Sequence, residues 1–275
     1  MQFAQQIEFV SVLNLVVSFS AVVAGLVLYR WYRPPGFDDH PYMKWAFWFL
    51  LARWSALTAA YLTLIVSPDS DKRMLGFVDL ASVCDMAFAW ILVQGDEFSR
   101  KRTLYAFVGF CVFLAGWNLA FSPHNTNWGA ASNAFSAFTT PLVAFAFLLR
   151  LRGTASFVLF LMALWYSVAQ LHVSATLLTS QSVFAGLEAT VDYLLGLALG
   201  KILVGGMVYG LFFAPVQDYA FATTEFTESA RAAVKSAVKT TLKVGTLHLL
   251  FAILAAILIT WFLTSFWPAV HATPR

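Results

Sequence analysis

The sequence predicts an all-α, polytopic integral membrane bundle with about eight transmembrane helices. The chain has 275 residues, of which 60% are hydrophobic and 11% are charged, whereas soluble domains are about 45–50% apolar and about 25% charged. Its mean hydropathy is +0.74. Apolar stretches of spanning length alternate with short links rich in Pro, Gly, Ser and Asp. These features indicate a chain whose solvent is mainly lipid.

Eight stretches are long and apolar enough to span a bilayer. In order they are 7–29, 45–67, 74–95, 103–122, 130–150, 154–179, 183–213 and 245–267. Short links join most of them, so consecutive spans are expected to be antiparallel neighbours. We therefore predict a seven-helix transmembrane bundle over 1–216, a cytoplasmic amphipathic basic helix over 217–244, and an eighth span with an outer tail over 245–275.

The distribution of Lys and Arg predicts that both termini lie outside. With the amino terminus outside, only Lys72, Arg73 and Arg275 of the 17 Lys and Arg fall on the outer side. Arg53 and Lys201 lie within spans, and all the others fall on the inner side. This asymmetry follows the positive-inside rule, and the expected location is a bacterial inner (plasma) membrane.

The segment 231–243, "RAAVKSAVKTTLK", carries a cation at every fourth position. On an α-helix, Arg231, Lys235, Lys239 and Lys243 would form one slowly winding stripe, because each step of four residues drifts by only about 40°. Such a helix suits an anionic inner leaflet, which we expect it to contact. A plain juxtamembrane linker that only obeys the positive-inside rule is the alternative.

Ionisable residues inside the spans need a partner or a function, since each costs about 2.5–3.5 kcal/mol at the bilayer centre. Arg53 and Asp85 lie near the middles of spans two and three, which a short link joins, so an ion pair between them is expected. Lys201 lies about 180° around span seven from Asp192, so its expected partner is Asp85 or Asp79. The candidates are Arg53, Asp79, Asp85, Glu188, Asp192 and Lys201.

Neutral polar residues and glycines mark other candidate positions in the spans. Four polar residues are expected towards the outer leaflet, where they would line a polar vestibule or join helices by hydrogen bonds: Asn118, Asn133, Gln170 and His172. Span seven has two glycine pairs at a spacing that allows close helix packing: Gly196 with Gly200, and Gly206 with Gly210.

The sequence lacks the motifs of the common membrane enzymes and metal sites. It has no HExxH motif, no P-loop and no cluster of histidines, and its two cysteines, Cys84 and Cys111, both lie in apolar runs. A net charge of +3, dispersed along the chain, does not indicate nucleic-acid binding. The chain is therefore expected to be non-enzymatic and to bind no metal or other cofactor, with one alternative.

That alternative is retinal. An outside amino terminus, carboxylates in span three, "LWY" at 164–166 and Lys201 near the middle of span seven together resemble a microbial rhodopsin. The resemblance implies that Lys201 carries retinal as a Schiff base. The sequence departs from the family pattern, because Leu197 stands four residues before the lysine, where a carboxylate is usual, and no Arg lies three residues before Asp79 or Asp85.

Three functions follow, in order of preference. The first is a non-enzymatic inner-membrane subunit of a larger transport or envelope assembly, packed against other subunits or copies of itself. The second is a channel or transporter for protons, ions or small solutes that uses the intramembrane charges. The third is the retinal-binding protein.

Overall fold

A computed structural model describes residues 2–33, 37–66, 71–121, 128–151, 154–178 and 191–213, and within these ranges all regular structure is helical. The α-helices are α1 (Gln2–Trp31), α2 (Pro41–Val66), α3 (Asp71–Gln94), α4 (Arg100–Phe121), α5 (Trp128–Leu151), α6 (Thr154–Leu178) and α7 (Val191–Phe212). Short 3-10 turns occupy Phe37–Asp39 and Gly95–Glu97. Five of the helices, α1 to α5, are long and apolar enough to cross a membrane, which indicates a multi-pass membrane protein.

The described helices coincide with the first seven predicted spans. The ends of α2 to α6 fall within a few residues of those predicted from hydropathy, and α1 starts five residues earlier than expected, at Gln2. Several predictions lie outside the described residues: the start of span seven at 183–190, the basic helix at 217–244 and the eighth span at 245–267.

Six of the helices close into a ring. The contacts run from α1 to α2, α3, α5, α6 and α7 and return from α7 to α1. Helix α4 lies outside this ring, against α3 and α5. Large apolar side chains are exposed along α4, among them Leu104, Val108, Val112, Phe113 and Leu119. Hydropathy predicts a span here but cannot predict that it is peripheral, because burial in protein and exposure to lipid both favour apolar residues.

One end of the ring is basic. It is formed by the last turn of α1, the first turns of α2 and α4 and the last turn of α5, and we call it the basic end: Arg30, Arg33, Lys44, Arg100, Lys101, Arg102 and Arg150. In the link between α1 and α2, Asp38 lies 2.8 Å from Lys44 Nζ and 3.0 Å from Arg33 Nη1. The hydrogen bond from Lys44 is the main cause that lowers the pKa of the Asp38 carboxyl, with Arg33 adding to it.

Buried aromatic side chains close the ring just inside the basic end. Phe37 stacks on Phe213 at 5.8 Å between ring centroids, and it meets Phe212 edge-on at the same distance. Phe212 also contacts Phe88 of α3, at 5.7 Å. We call this set the aromatic plug; its members are Phe37, Phe47, Phe88, Phe147, Phe212 and Phe213, and each is at most 4% exposed. The plug therefore packs α3 and the end of α7 against the link between α1 and α2.

Candidate functional site

An ion pair lies at the middle of the ring. Arg53 Nε is 2.7 Å from Asp85 Oδ1 and 2.8 Å from Oδ2, and the two side chains are only 11% and 6% exposed. The Arg53 guanidinium also lies over the ring of Trp54, 4.2 Å from its centroid. The pair predicted from the neighbouring positions of spans two and three is therefore present. Arg53 binds Asp85 through Nε alone, and its two terminal nitrogens donate to no residue that the structure describes.

Lys201 lies beside this pair but has different partners from those expected. Its Nζ donates to Asn14 Oδ1 of α1 at 2.7 Å and to Tyr61 Oη of α2 at 2.5 Å. Its side chain is buried, with 5% of the residue exposed. The expected partner Asp85 is already bound by Arg53. Lys201 instead joins α7 to α1 and α2.

Asp79, the other expected partner, faces away from the ring interior. It precedes Asp85 by six residues, which turns it about 240° around α3. It accepts a hydrogen bond from Asn118 Nδ2 of α4 at 2.8 Å. Asp85 and Asp79 of α3 therefore serve different interfaces, Asp85 inside the ring and Asp79 between α3 and the peripheral helix α4.

A small cavity adjoins the ion pair and Lys201. It measures 20 Å³, enough for one water molecule or a small ion, since a single water needs about 10–15 Å³ on the same measure. We call its polar lining the central cluster, which comprises Arg53, Asp85, Tyr166 and Lys201. Apolar atoms of α2, α5 and α7 complete the walls. The Tyr166 hydroxyl has no hydrogen-bond partner within the described part of the chain.

Two glycines of α7 let aromatic side chains reach the cavity. A Cβ atom at Gly200 would lie 2.4 Å from Tyr166 Cδ2, and one at Gly205 would lie 2.6 Å from Trp54 Cζ2. Both distances are far below van der Waals contact, so only glycine fits without movement. Of the four glycines predicted to pack helices, Gly196 lies in the first half of α7, and the other three are buried: Gly200, Gly206 and Gly210. At Gly200 the neighbour is an aromatic ring of α6.

The residues predicted to form an outer vestibule lie at separate interfaces. Gln170 is buried between α6 and α5 and donates to Ser136 Oγ at 3.0 Å. His172, two residues further along α6, lies on the opposite, exposed side of that helix. Asn118 binds Asp79 between α3 and α4, and Asn133 is half-buried on α5. Asp192 lies in the first turn of α7, and Glu188 lies outside the described residues.

Sequence reasoning missed three residues of the site: Asn14, Tyr61 and Tyr166. A signal existed for Asn14, because an amide inside an apolar span is uncommon and usually bonded. Tyr61 gave no signal, since tyrosine is frequent in apolar spans, and Tyr166 was noted only as part of the "LWY" stretch. All three are neutral, so a search for complementary charges does not find them.

The cavity beside Lys201 does not fit retinal. Sites for molecules of that size enclose about 300–1,000 Å³, whereas this cavity measures 20 Å³. Tyr166 and Trp54 fill the space next to α7, and the Lys201 amine is held by Asn14 and Tyr61. Within the described ranges, no group of His, Cys, Asp and Glu could hold a metal ion either.

Comparisons of this chain with protein-family models, with curated proteins and with solved structures found no match.

Proposed function

We propose that this protein is a membrane transport protein that carries protons or small ions through the helix ring, past the central cluster. This was the second of the functions predicted from the sequence, and it now ranks first. The observation that carries it is Lys201, an ionisable group buried at the centre of the ring with only neutral described partners. Asn14 and Tyr61 could bond to an uncharged side chain equally well.

A purely structural role requires no charge at these buried positions. In an ion pair such as Arg53 with Asp85, each charge offsets the other. Apolar residues of similar volume at such positions often give equal or greater stability. Lys201 adds another ionisable group in the same low-dielectric region, and none of its described partners is a carboxylate. Ionisable residues at this depth characterise ion and proton pathways. We therefore assign the central cluster as the site that the transported species contacts.

The aromatic plug gives this proposal a conformational requirement. Phe37 and Phe88 both contact Phe212 near the basic end, and these contacts support a pathway that is closed on that side in this arrangement. Apolar constrictions of this kind gate by excluding water. Transport would require Phe37 and the last turn of α7 to move together, since Phe37 packs on both Phe212 and Phe213.

Flux through purified protein in liposomes tests the proposal. Fluxes of protons, alkali cations and halides are measured separately, each against protein-free liposomes. We expect Asp85→Asn and Lys201→Met to lower the flux by about tenfold or more, because each removes a charged hydrogen-bonding group from the pathway. Wild-type protein that carries none of these ions would overturn the proposal.

The matched control is Asp79→Asn. Asp79 is a buried carboxylate of the same helix, but it lies outside the ring, and an asparagine there keeps a group that can bond to Asn118. Flux should be unchanged in this variant. Because Asp85→Asn leaves Arg53 buried without its partner, the double variant Arg53→Met with Asp85→Leu is measured as well. Normal flux in a folded double variant would show that the ion pair only joins helices.

A second candidate, the subunit of a larger assembly, is favoured by the position of α4. This helix lies outside the ring with large apolar residues exposed along it, and a groove containing Asp79 and Asn118 opens between α3 and α4. Purification in mild detergent, followed by mass spectrometry, tests this function. Stoichiometric partners that are lost from a variant with Leu104, Val108 and Val112 changed to alanine would support it, and a partner-free monomer would contradict it.

The membrane arrangement that we propose has eight spans, both termini outside and the basic end at the cytoplasmic face of a bacterial inner membrane. The distribution of Lys and Arg supports it. Residues 217–244 would then lie on the inner leaflet, with Arg231, Lys235, Lys239 and Lys243 towards anionic lipid headgroups.

A further inference from the structure

We infer that the central cavity binds a small monovalent anion of the halide class, held between Arg53, Tyr166 and Lys201. The inference builds on the proposed function by naming its substrate class. It starts from the hydrogen-bonding groups that line the cavity and have no described partner. Arg53 uses only Nε on Asp85, so its terminal N–H groups remain as donors, and the Tyr166 hydroxyl is another. Arg53 and Tyr166 line the same small cavity, together with Lys201.

The net charge of the central cluster also favours an anion. With Lys201 protonated, the central cluster holds two cations and one carboxylate, so its net charge is +1. Asn14 and Tyr61 accept hydrogen bonds from Lys201 but offset none of its charge. An anion in the cavity would offset it, and in a low-dielectric interior an attraction between opposite charges a few ångströms apart is strong. A bound cation would instead add to the excess positive charge.

The composition of the lining also restricts the kind of anion. Asp85 is the one carboxylate among the cavity residues, and its oxygens already bind Arg53 Nε. The Thr140 hydroxyl donates a hydrogen bond to the backbone oxygen of Ser136, at 3.3 Å. The cavity has room for about one water molecule or one ion of similar size. A single-atom anion therefore fits better than a carboxylate, a phosphate or a larger solute.

Equilibrium binding in detergent tests the inference without requiring transport. The midpoint of thermal unfolding is measured as chloride or bromide replaces gluconate at constant ionic strength. A ligand that binds only the folded protein raises the midpoint as its concentration passes the dissociation constant. We expect a saturable rise with either halide. A midpoint that does not respond to the replacement would overturn the inference.

Asn14→Asp is the decisive variant, because it places a carboxylate where Lys201 Nζ now donates to an amide oxygen at 2.7 Å. The side chain keeps its shape, and the new negative charge should cancel the net positive charge of the central cluster. We expect halide affinity to fall by about tenfold or more, in line with the loss of a charged interaction. Tyr166→Phe removes one donor without a change of charge and should weaken binding less. Asp79→Asn, outside the ring, should bind as the wild type does.

The outcomes separate this inference from the proposed function. Halide binding without any ion flux would support the anion site and contradict the proposed transport function. Proton or cation flux without halide binding would keep transport and contradict the anion. Unchanged halide affinity in Asn14→Asp, in a protein that unfolds cooperatively, would overturn the assignment to this cavity. Lys201→Met repeats the charge test by removing the cation, and Asn14→Asp still decides the matter if that variant does not fold.

Discussion

At the scale of single residues, the site depends on contacts between aromatic rings and glycine. Trp54 lies against Gly205, and Tyr166 lies against Gly200. The two aromatic rings that border the cavity therefore occupy space that a Cβ atom at either glycine would fill. The Arg53 guanidinium lies over Trp54 in turn. The orientation of the ion pair therefore depends on a backbone position of α7, a helix to which neither charged residue belongs.

We expect Gly205→Ala to destabilise the protein by about 1–3 kcal/mol, the usual cost of overpacking. The new Cβ would lie 2.6 Å from Trp54 Cζ2. Gly116→Ala on α4 is the control, because no atom lies within 4 Å of its Cβ position. That change should raise stability by up to about 1 kcal/mol through helix propensity. Thermal unfolding in detergent measures both, and equal midpoints would contradict the packing argument.

The ion pair itself predicts a non-additive result. Asp85→Leu alone should cost about 3–5 kcal/mol, because it leaves the buried Arg53 charge without its partner, whereas Arg53→Met with Asp85→Leu should recover most of that loss. Unfolding midpoints of both single variants and the double variant give the coupling energy. Additive losses would mean that the two residues act independently, which their 2.7 Å contact argues against.

These residues also show where sequence reasoning succeeds and fails. Arg53 and Asp85 could be paired from the sequence because opposite charges at similar depth on linked helices have few other partners. Lys201 could not be matched to its partners, because Asn14 and Tyr61 are neutral and lie 187 and 140 residues away. Charge identifies a partner at a distance in sequence, whereas an amide or a phenol becomes a partner only once the helices are packed.

At the scale of elements, the peripheral position of α4 gives Asp79 and Asp85 of α3 different surroundings. Hydropathy gave the bounds of α4 within a few residues, because length and apolarity determine whether a segment spans the bilayer. Its place outside the ring depends on which faces of α3 and α5 meet, and apolar residues all around a helix contain no such signal. In the structure three polar contacts hold α4 among the described residues: Asn118 with Asp79, Trp117 Nε1 with Ala131 O, and Gln94 Nε2 with Thr103 Oγ1.

We expect Asn118→Leu to destabilise the packing of α4 by about 1–3 kcal/mol, because it removes a hydrogen bond from the Asp79 carboxylate, which is 8% exposed. Changing Asp79 to leucine as well should restore part of that stability, since replacing both partners removes the buried charge. Thermal unfolding provides the measurement. Leu119→Ala, at an exposed neighbouring position, is the control and should have a smaller effect.

At the scale of the whole molecule, the ring is closed by contacts between α7 and α1. Lys201 bonds to Asn14, and Tyr209 Oη donates to the Ala21 carbonyl at 2.9 Å. Hydropathy predicts a span at each of these two helices, but it does not predict ring closure, since no local pattern specifies which distant helices meet. The orientation in the membrane is a separate prediction, which depends on the positions of Lys and Arg.

The proposed orientation predicts which links a membrane-impermeant thiol reagent reaches. In a background with Cys84 and Cys111 changed to alanine, a cysteine at Asn125, in the link between α4 and α5, should react in intact cells. A cysteine at Ser99, in the link between α3 and α4, should react only after the membrane is opened, because positive flanking charges place that link inside. The reverse labelling pattern would show that the proposed orientation is wrong and that both termini lie inside.

The bond between Lys201 and Asn14 has a consequence for the order of synthesis. The ribosome makes Asn14 and Tyr61 long before Lys201, so these acceptors enter the membrane while their donor does not yet exist. Asp85 follows Arg53 by only 32 residues, so the two residues can enter the membrane together in one helical hairpin. A nascent chain that ends before residue 191 would contain the complete ion pair and an open ring. The ring of described helices can therefore close only after α7, the last of them, has been synthesised.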